Sequence, residues 1–342
     1  MRIVLVGGGV QPIPPTGYGA VERIIADLAS ALRAAGDEVR IINRVRHRRT
    51  RDEIPFALEA PRLVNEHPYD VVHAHTPVVA NRLAGPRRPL VYTSHSRHWY
   101  FRTQLSHRWG YWLERRAVRR SRAVIALTEP LAQTMARVVR PPLPPIEVIP
   151  FGVDATVYAP RWDQRTGRQA LGVGVVAPFK RWHLAARAVR GTGVSLSIVG
   201  PIVSEGYAEA VRSEGPHVRL LGEVPDEELR RLFAESDYLV HPSQVEILSA
   251  TVLEGLAAGL PVLGGSAVAG VVEPGITGWV EPDTDPEPFV TALHARLVAL
   301  EGDATIRRAM GDAARSAALA RYAWPAIAAR HREVYRRVAA PS

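Results

Sequence analysis

Two glutamates, Glu246 and Glu254, stand with seven residues between them in the run HPSQVEILSATVLEGLAAGLPV. With Glu254 inside a helix and Glu246 on its N-terminal approach, the two carboxylates fall about two turns apart and can face one side. Each carboxylate has two oxygens that accept hydrogen bonds, so one could hold a ribose diol and the other a sugar hydroxyl. A carboxylate pair also fits a glycoside hydrolase, but that reaction needs an acid and a base or nucleophile flanking one bond at a set separation. Two glutamates on one helical approach are arranged for binding instead.

Histidine offers a second chemistry. His73 and His75, two apart in YDVVHAH, share one face of a strand, and His95 ends PLVYTSH. A metal pair is conceivable, yet no third ligand is evident, and such buried histidines are often hydrogen-bonded core residues. Asp283-Thr284-Asp285 spells a D-x-D of the kind that binds Mn or Mg with a diphosphate. Because Pro286 and Glu287 follow, Asp285 reads better as a helix N-cap with proline in the first helical position. No metal is expected.

The chain opens on glycines: Gly7, Gly8 and Gly9 after a first strand, then Gly17-Tyr18-Gly19 before a helix. Gly9, Gly17, Tyr18 and Gly19 form a candidate acceptor or phosphate loop, since glycines let backbone N–H groups approach an anion or polyol at a helix start. The alternative is a plain connecting loop. The spacing is not G-x-G-x-x-G, the insert QPIPPT interrupts it, and EVRIIN ends in Asn43 rather than an acid, so a dinucleotide site is not expected.

The stretch 221–281 resembles the Glu-x7-Glu signature of retaining glycosyltransferase family 4, in which S-x-x-E precedes an E-A-x-A-x-G-x-P-V helix and strand. Ordered likenesses extend over nearly the whole chain. GYGAVERIIADLASALRAAGDEV is similar to the family's opening, YDVVHAH and YTSHS to its later N-domain strands, and FGVD to its N-G-V-D hinge. VAPFKRWHLAARAV resembles the G-R-L-x-x-x-K-G element, and AGVVEPGITGWV the glycine-rich loop with its following strand. The resemblance implies the GT-B fold, an α/β architecture of two Rossmann-like domains whose parallel sheets face an interdomain cleft. It makes Glu254 the ribose ligand, Glu246 a donor-sugar contact, and Lys180 the cation that neutralises the diphosphate. Gly222, Val224, Ile247, Leu248 and Ser249 join the donor site, and His95 matches the N-domain histidine that approaches the donor sugar. The family's Arg about five residues before the Lys is absent; Val175 or Val176 stands there, and Arg181 is a candidate substitute. Ile247 and Leu248 replace the small residues usual after the first Glu, which leaves donor identity open.

The elements that must position these residues are visible as alternating patterns. Short Val- and Ile-rich runs (RIVLVGG, EVRIIN, YDVVHAH, PLVYTSH, AVIALT, IEVIP) are separated by helical stretches such as VERIIADLASALRAAG. That alternation is the pattern of βαβ units around a parallel sheet. After the proline-rich stretch Pro141 to Pro145 a second series follows: LGVGVVAP, VSLSIVG, VRLLG, YLVHPS, PVLGG and TGWVEP, with helices HLAARAV, DEELRRLFAES and ILSATVLEGLAAG between. The expected division is residues 1–155 for acceptor binding, 156–320 for the nucleotide sugar, and 321–342 as a helix returning to the N-terminal domain.

Bulk properties fit this reading. The 342 residues suit two domains, and 46% hydrophobic with 23% charged residues leaves no room for a long disordered segment. Without cysteine there is no disulfide, thiolate metal site or thiol nucleophile, which fits a reducing cytoplasm. MRIVLVGGG has neither the length of a signal h-region nor that of a transmembrane span, so neither export nor membrane insertion is expected. The net charge of +9 includes the clusters Arg44 to Arg51 and Arg115 to Arg122. A solvated face, an anionic substrate, and a nucleic acid or membrane surface all remain open for them, although no aromatic-interleaved nucleic-acid motif is present.

The functional expectation is a metal-independent, cofactor-free retaining glycosyltransferase that moves a sugar from a nucleotide-diphosphate sugar, UDP favoured, to a carbohydrate or natural-product hydroxyl. The resemblance further suggests an antibiotic pathway. The alternatives are a noncatalytic nucleotide-sugar-binding protein and a nucleotide-sugar epimerase or dehydrogenase.

Overall fold

The structure, a computed structural model, describes residues 1–15, 19–45, 53–85, 88–99, 101, 103–139 and 141–340. It divides into two compact units, residues 1–152 with 324–342, and residues 153–323. The chain passes into the second unit at Gly152–Val153 and returns at Ala323–Trp324, where the sequence reading set the divisions at 155 and 320. Among the described residues, no helix is long and apolar enough to cross a membrane.

In the first unit the order is β1 (Arg2–Val6), α1 (Ala20–Ala34), β2 (Glu38–Ile42), α2 (Glu53–Asn65), β3 (Val71–Ala74), α3 (Pro77–Leu83), β4 (Leu90–Ser94), α4 (Arg108–Arg120), β5 (Ala123–Ala126), α5 (Glu129–Val138) and β6 (Ile146–Val148). Among the described residues its six strands pair in the order β2-β1-β3-β4-β5-β6, all parallel. Strands β3, β4 and β5 are buried along their whole length, as a sheet covered on both faces requires. Helix α1 buries Ile25, Leu28, Ala29 and Leu32, spaced three and four apart, so one stripe meets the sheet.

The second unit contains β7 (Gln169–Val173), α6 (Trp182–Val189), β8 (Ser195–Val199), α7 (Glu205–Arg212), β9 (Val218–Gly222), α8 (Asp226–Glu235), β10 (Tyr238–His241), α9 (Ala250–Ala257), β11 (Val262–Gly264), β12 (Gly278–Val280), α10 (Pro286–Gly302) and α11 (Ala304–Tyr322). Its strands, again parallel, run β12-β11-β10-β7-β8-β9. Renumbered from β7, this is the 3-2-1-4-5-6 order of dinucleotide folds, whereas the first unit has the other doubly wound order, beginning 2-1-3-4-5. Helix α9 starts at Ala250, three residues later than the sequence pattern suggested, because Ser249 is extended (φ −93, ψ 117) and Ile247 and Leu248 precede it as irregular chain. Trp182, Leu293, Phe289 and Leu297 anchor the core of this unit.

The last helix, α12 (Trp324–Ala339), belongs to the first unit, where it packs on α1. Ile327, Val334, Tyr335 and Val338 enter the same cluster as Ile3, Leu5 and Ile25.

Candidate active site

In an open α/β sheet, ligands collect beyond the carboxyl ends of the strands at the point where strand order reverses. In the second unit that point lies between β7 and β10, which are paired neighbours. The loop after β7 turns through Pro178–Lys180, a single 3-10 turn, and delivers Lys180; the loop after β10 delivers Glu246. Their side chains meet, Lys180 Nζ to Glu246 Oε1 at 2.5 Å, with only 14% and 18% of each exposed. Residues 66 positions apart are thus joined by topology. A Cβ on Gly174 would stand 3.6 Å from Lys180 Nζ, in a backbone conformation (φ +150) that favours glycine.

His241, the last residue of β10, lies beneath this pair with Nε2 3.8 Å from Glu246 Oε1. Burial, helped by the charge of Lys180 and opposed by that of Glu246, pushes its imidazole down to about 4. Both of its ring nitrogens, and the hydroxyl of Ser243 two residues on, are buried without a protein hydrogen-bond partner. Buried polar groups are normally bonded. Their concentration here marks a place built for a polar ligand or for solvent. The HPS of the sequence motif carries both residues, but as flanking text rather than as spaced carboxylates, so the sequence reading did not single them out.

Arg181, the residue after Lys180, is held by Asp283. It is the one non-glycine residue among the described ones with positive φ (+58), and its Nη1 donates to the backbone oxygen (3.1 Å) and Oδ2 (3.3 Å) of Asp283. Its guanidinium also lies over the Phe289 ring, 5.2 Å from the centroid, while Nη2 is buried without a partner. Asp283 is therefore committed to Arg181 and to Ser266, whose hydroxyl donates to it at 3.3 Å. Asp285 caps α10, accepting from Glu287 N at 3.3 Å with Pro286 in the first helical position. Both carboxylates of the D-x-D have local structural roles. Among the described residues no group of three or more His, Cys, Asp or Glu is placed to hold a metal.

Glu254 is the fifth residue of α9 and is half buried, with Glu246 on the irregular approach before the helix. Ser249 is buried and its hydroxyl does not cap the helix. Gly222 (φ +67) and Val224 sit at the end of β9, the edge strand, with β8 between it and β7. The structure thus joins Lys180 to Glu246 directly and sets Gly222 and Val224 further along the sheet.

In the first unit the glycine loop is closed on itself. Gly9 N donates to Asn43 Oδ1 at 2.8 Å, and Asn43 Nδ2 donates to Gln11 O at 2.7 Å. The position where a dinucleotide fold keeps an acid is here a clamp. Gly9 needs its φ of +74, and a Cβ there would come within 2.6 Å of Phe56. Gly19 stands at the N-cap of α1 in an extended conformation; Gly17 and Tyr18 lie outside the described residues. So does the Arg46 to Arg51 part of the first basic cluster.

His95 follows β4, and its Nε2 shares a hydrogen bond of 3.1 Å with His75 Nδ1. His75 packs on His73 at 4.2 Å between ring centroids, as the shared strand face demands. His73 is saturated by Tyr335 Oη and Thr93 Oγ1, each at 2.7 Å, which makes it a core residue. Burial pushes His95 and His331 each down to about 4 and holds His73 and His75 well below the usual imidazole range. All four rings are neutral near pH 7.

Comparison with known proteins agrees with this architecture. Residues 19–157 match the family model described as Glycosyltransferase Family 4, and residues 174–298 match Glycosyl transferases group 1. D-rhamnosyltransferase WbpZ of Pseudomonas aeruginosa is 32% identical over 162 residues, 43% of this chain and 42% of that protein. The chain spans less than half the length of the first curated relatives it matches. Sucrose-phosphate synthase from Thermosynechococcus elongatus superimposes with a TM-score of 0.82 at 20% identity, covering 98% of each chain. HepE of Anabaena, solved in complex with UDP and glucose, gives 0.75 at 18% identity over 98% of this chain and all of that one. The fold is that of the GT-B glycosyltransferases. The match to Glycosyltransferase Family 4 falls almost wholly in the first unit, and the match to Glycosyl transferases group 1 falls in the second.

Proposed function

We propose that this protein is a retaining glycosyltransferase that takes a nucleoside-diphosphate sugar, with UDP as the favoured nucleotide, and passes the sugar to a hydroxyl of a carbohydrate or natural-product acceptor. The observation that carries the reading is the Lys180–Glu246 pair at the strand-order reversal, a cation and a carboxylate side by side over unpartnered polar groups. A diphosphate leaving group gathers negative charge as its bond to the sugar breaks, and a fixed ammonium beside it stabilises that charge without any reorganisation. Lys180 supplies the ammonium. Once phosphate oxygens replace its carboxylate partner, Glu246 is released to accept hydrogen bonds from sugar hydroxyls. Arg181 Nη2 is the second donor available to a phosphate oxygen, and Glu254 is assigned to the ribose. His95, neutral and held by His75, can give or take one hydrogen bond with a sugar hydroxyl. No metal enters the proposal, because Lys180 fills that electrostatic role and both D-x-D carboxylates are otherwise engaged. An antibiotic-pathway acceptor and a cytoplasmic setting are the narrower readings.

A thermal-shift series with UDP-, GDP-, ADP- and dTDP-sugars tests the donor. Ligand at 100 times its dissociation constant adds about 2.7 kcal/mol of stability, and UDP-sugars should give the largest shift. Release of nucleoside diphosphate only when acceptor is present separates an enzyme from a binder, and the anomeric proton coupling of the product reads retention. Turnover should survive EDTA; activity lost in chelator and restored by Mg or Mn would overturn the metal-free reading. Glu254→Ala should weaken binding of the free nucleotide by about 1.5 to 3 kcal/mol, the range for hydrogen bonds to a charged group.

A further inference from the structure

We infer that α4 docks on the surface of an anionic phospholipid bilayer, with Trp109 and Trp112 entering the headgroup layer and Arg108, Arg116 and Arg119 facing lipid phosphates. The helix is two-sided. Glu114, Ala117 and Val118 are buried in the first unit, whereas the opposite stripe, at spacings of three and four, holds Arg108, Trp109, Trp112, Arg116 and Arg119, all exposed. Trp109 is 69% and Trp112 46% exposed, and Leu105, on the 3-10 turn leading into the helix, is 83% exposed. Large apolar side chains grouped on one surface are uncommon in a protein that meets only water, and they mark a contact site.

Charge selects the partner. The only acid in α4 is Glu114, which is turned inward to accept from Tyr92 Oη at 2.7 Å and Ser94 Oγ at 3.0 Å. The outward stripe is therefore made of cations and indoles, with no acidic residue of α4 among them. Two copies of such a face would repel each other in a symmetric dimer, where the same patch meets itself. Bases and sugars stack on open aromatic faces. Here the two indoles stack on each other, 5.1 Å between centroids at 22°, and the Arg116 guanidinium lies 5.5 Å over the ring of Trp112. An anionic bilayer fits both features, because indoles settle at headgroup depth and each nearby arginine is drawn to the negative surface. Of the basic run Arg115 to Arg122, Arg116 and Arg119 lie on this stripe, whereas Arg120 and Arg122 donate to backbone oxygens of Asn81, Ala84 and Val338; the contact is peripheral.

The test uses the full chain with vesicles of mixed phosphatidylglycerol and phosphatidylcholine, and of phosphatidylcholine alone, by co-sedimentation. Quenching of tryptophan emission by lipid-borne nitroxide reports insertion in the unaltered protein. The expectation is binding to the mixed vesicles that weakens with salt, with quenching, and a fall of about tenfold or more in partitioning for W109S/W112S and for R108Q/R116Q/R119Q. These side chains are exposed, and unchanged melting temperatures will confirm that the variants are folded. Failure of the unaltered chain to bind mixed vesicles at low ionic strength overturns the inference. So does binding that W109S/W112S leaves intact, or a lipid-free dimer that the same variant dissolves.

Discussion

At the scale of single residues, Arg181 shows two opposed effects whose sizes can be compared. Its left-handed backbone (φ +58) costs a non-glycine residue about 1 to 2 kcal/mol, so glycine would relax the turn. Glycine would also strand Asp283, 5% exposed, without its cation, and breaking a buried pair costs about 3 to 5 kcal/mol. The second effect wins: R181G should destabilise the second unit by roughly 2 kcal/mol in urea unfolding. A stabilised variant would show that backbone strain dominates. Tyr335 gives a simpler case. Y335F leaves His73 Nδ1 buried without its 2.7 Å partner, which should cost about 1 to 3 kcal/mol at almost unchanged volume. An unfolding midpoint equal to that of the parent would refute it.

At the scale of elements, strands were the easiest to read. RIVLV, VVHA and YLVH became strands because a sheet buried on both faces asks for apolar runs, while EVRII, the edge strand, leaves Glu38 and Arg40 exposed between buried residues. The start of α9 was misplaced, since Ile247 and Leu248 have helical propensity and only the extended backbone at Ser249 stops the helix. Lys180 and Glu246 were legible as types and motif positions, but their contact was not, because it depends on β7 pairing with β10 rather than with β9. The orphaned nitrogens of His241 and the turning of Arg181 toward Asp283 are packing outcomes with no periodic signal. The helix expected over 321–342 is α12, which begins at Trp324 because Tyr322 still closes α11, and it has a measurable role. Removing residues 324–342 takes Ile327, Val334, Tyr335 and Val338 out of the first unit's core. At about 2 to 5 kcal/mol for each large side chain lost, the sum reaches the whole stability of an ordinary domain. A chain ending at residue 323 should lose amide protection across the first unit while the second unit, whose core is complete without α12, keeps its own; persistent protection of β1 and β3 would sink this.

At the scale of the whole molecule, buried titrating groups make stability depend on pH, and the sign follows from their directions. His95 and His331 are each pushed down to about 4, and His73 and His75 lie well below the ordinary imidazole value. A depressed imidazole contributes stability that is present above the unfolded value near 6.5 and is lost as pH falls from there toward the folded value, because the unfolded chain binds the proton first. Each contributes up to about 1.4 kcal/mol per pH unit in that window. Glu114 works the other way. Burial raises its carboxyl to about 7, so its contribution is complete below the ordinary carboxylate range and disappears as pH rises toward 7. Between pH 6.5 and 4.5, four imidazoles oppose one carboxyl within the same unit, and the imidazoles prevail. His241, also pushed down to about 4, adds the same sign in the second unit. Melting temperature should therefore fall steeply on going from pH 7 to pH 5. In E114Q the opposing carboxyl is gone, so the variant should be more stable than the parent at pH 8 and lose stability more steeply on acidification. Melting curves of both proteins from pH 5 to 8.5 check the two slopes together, and a parent whose melting temperature stays level between pH 7 and pH 5 would remove the histidine cluster as the controlling feature.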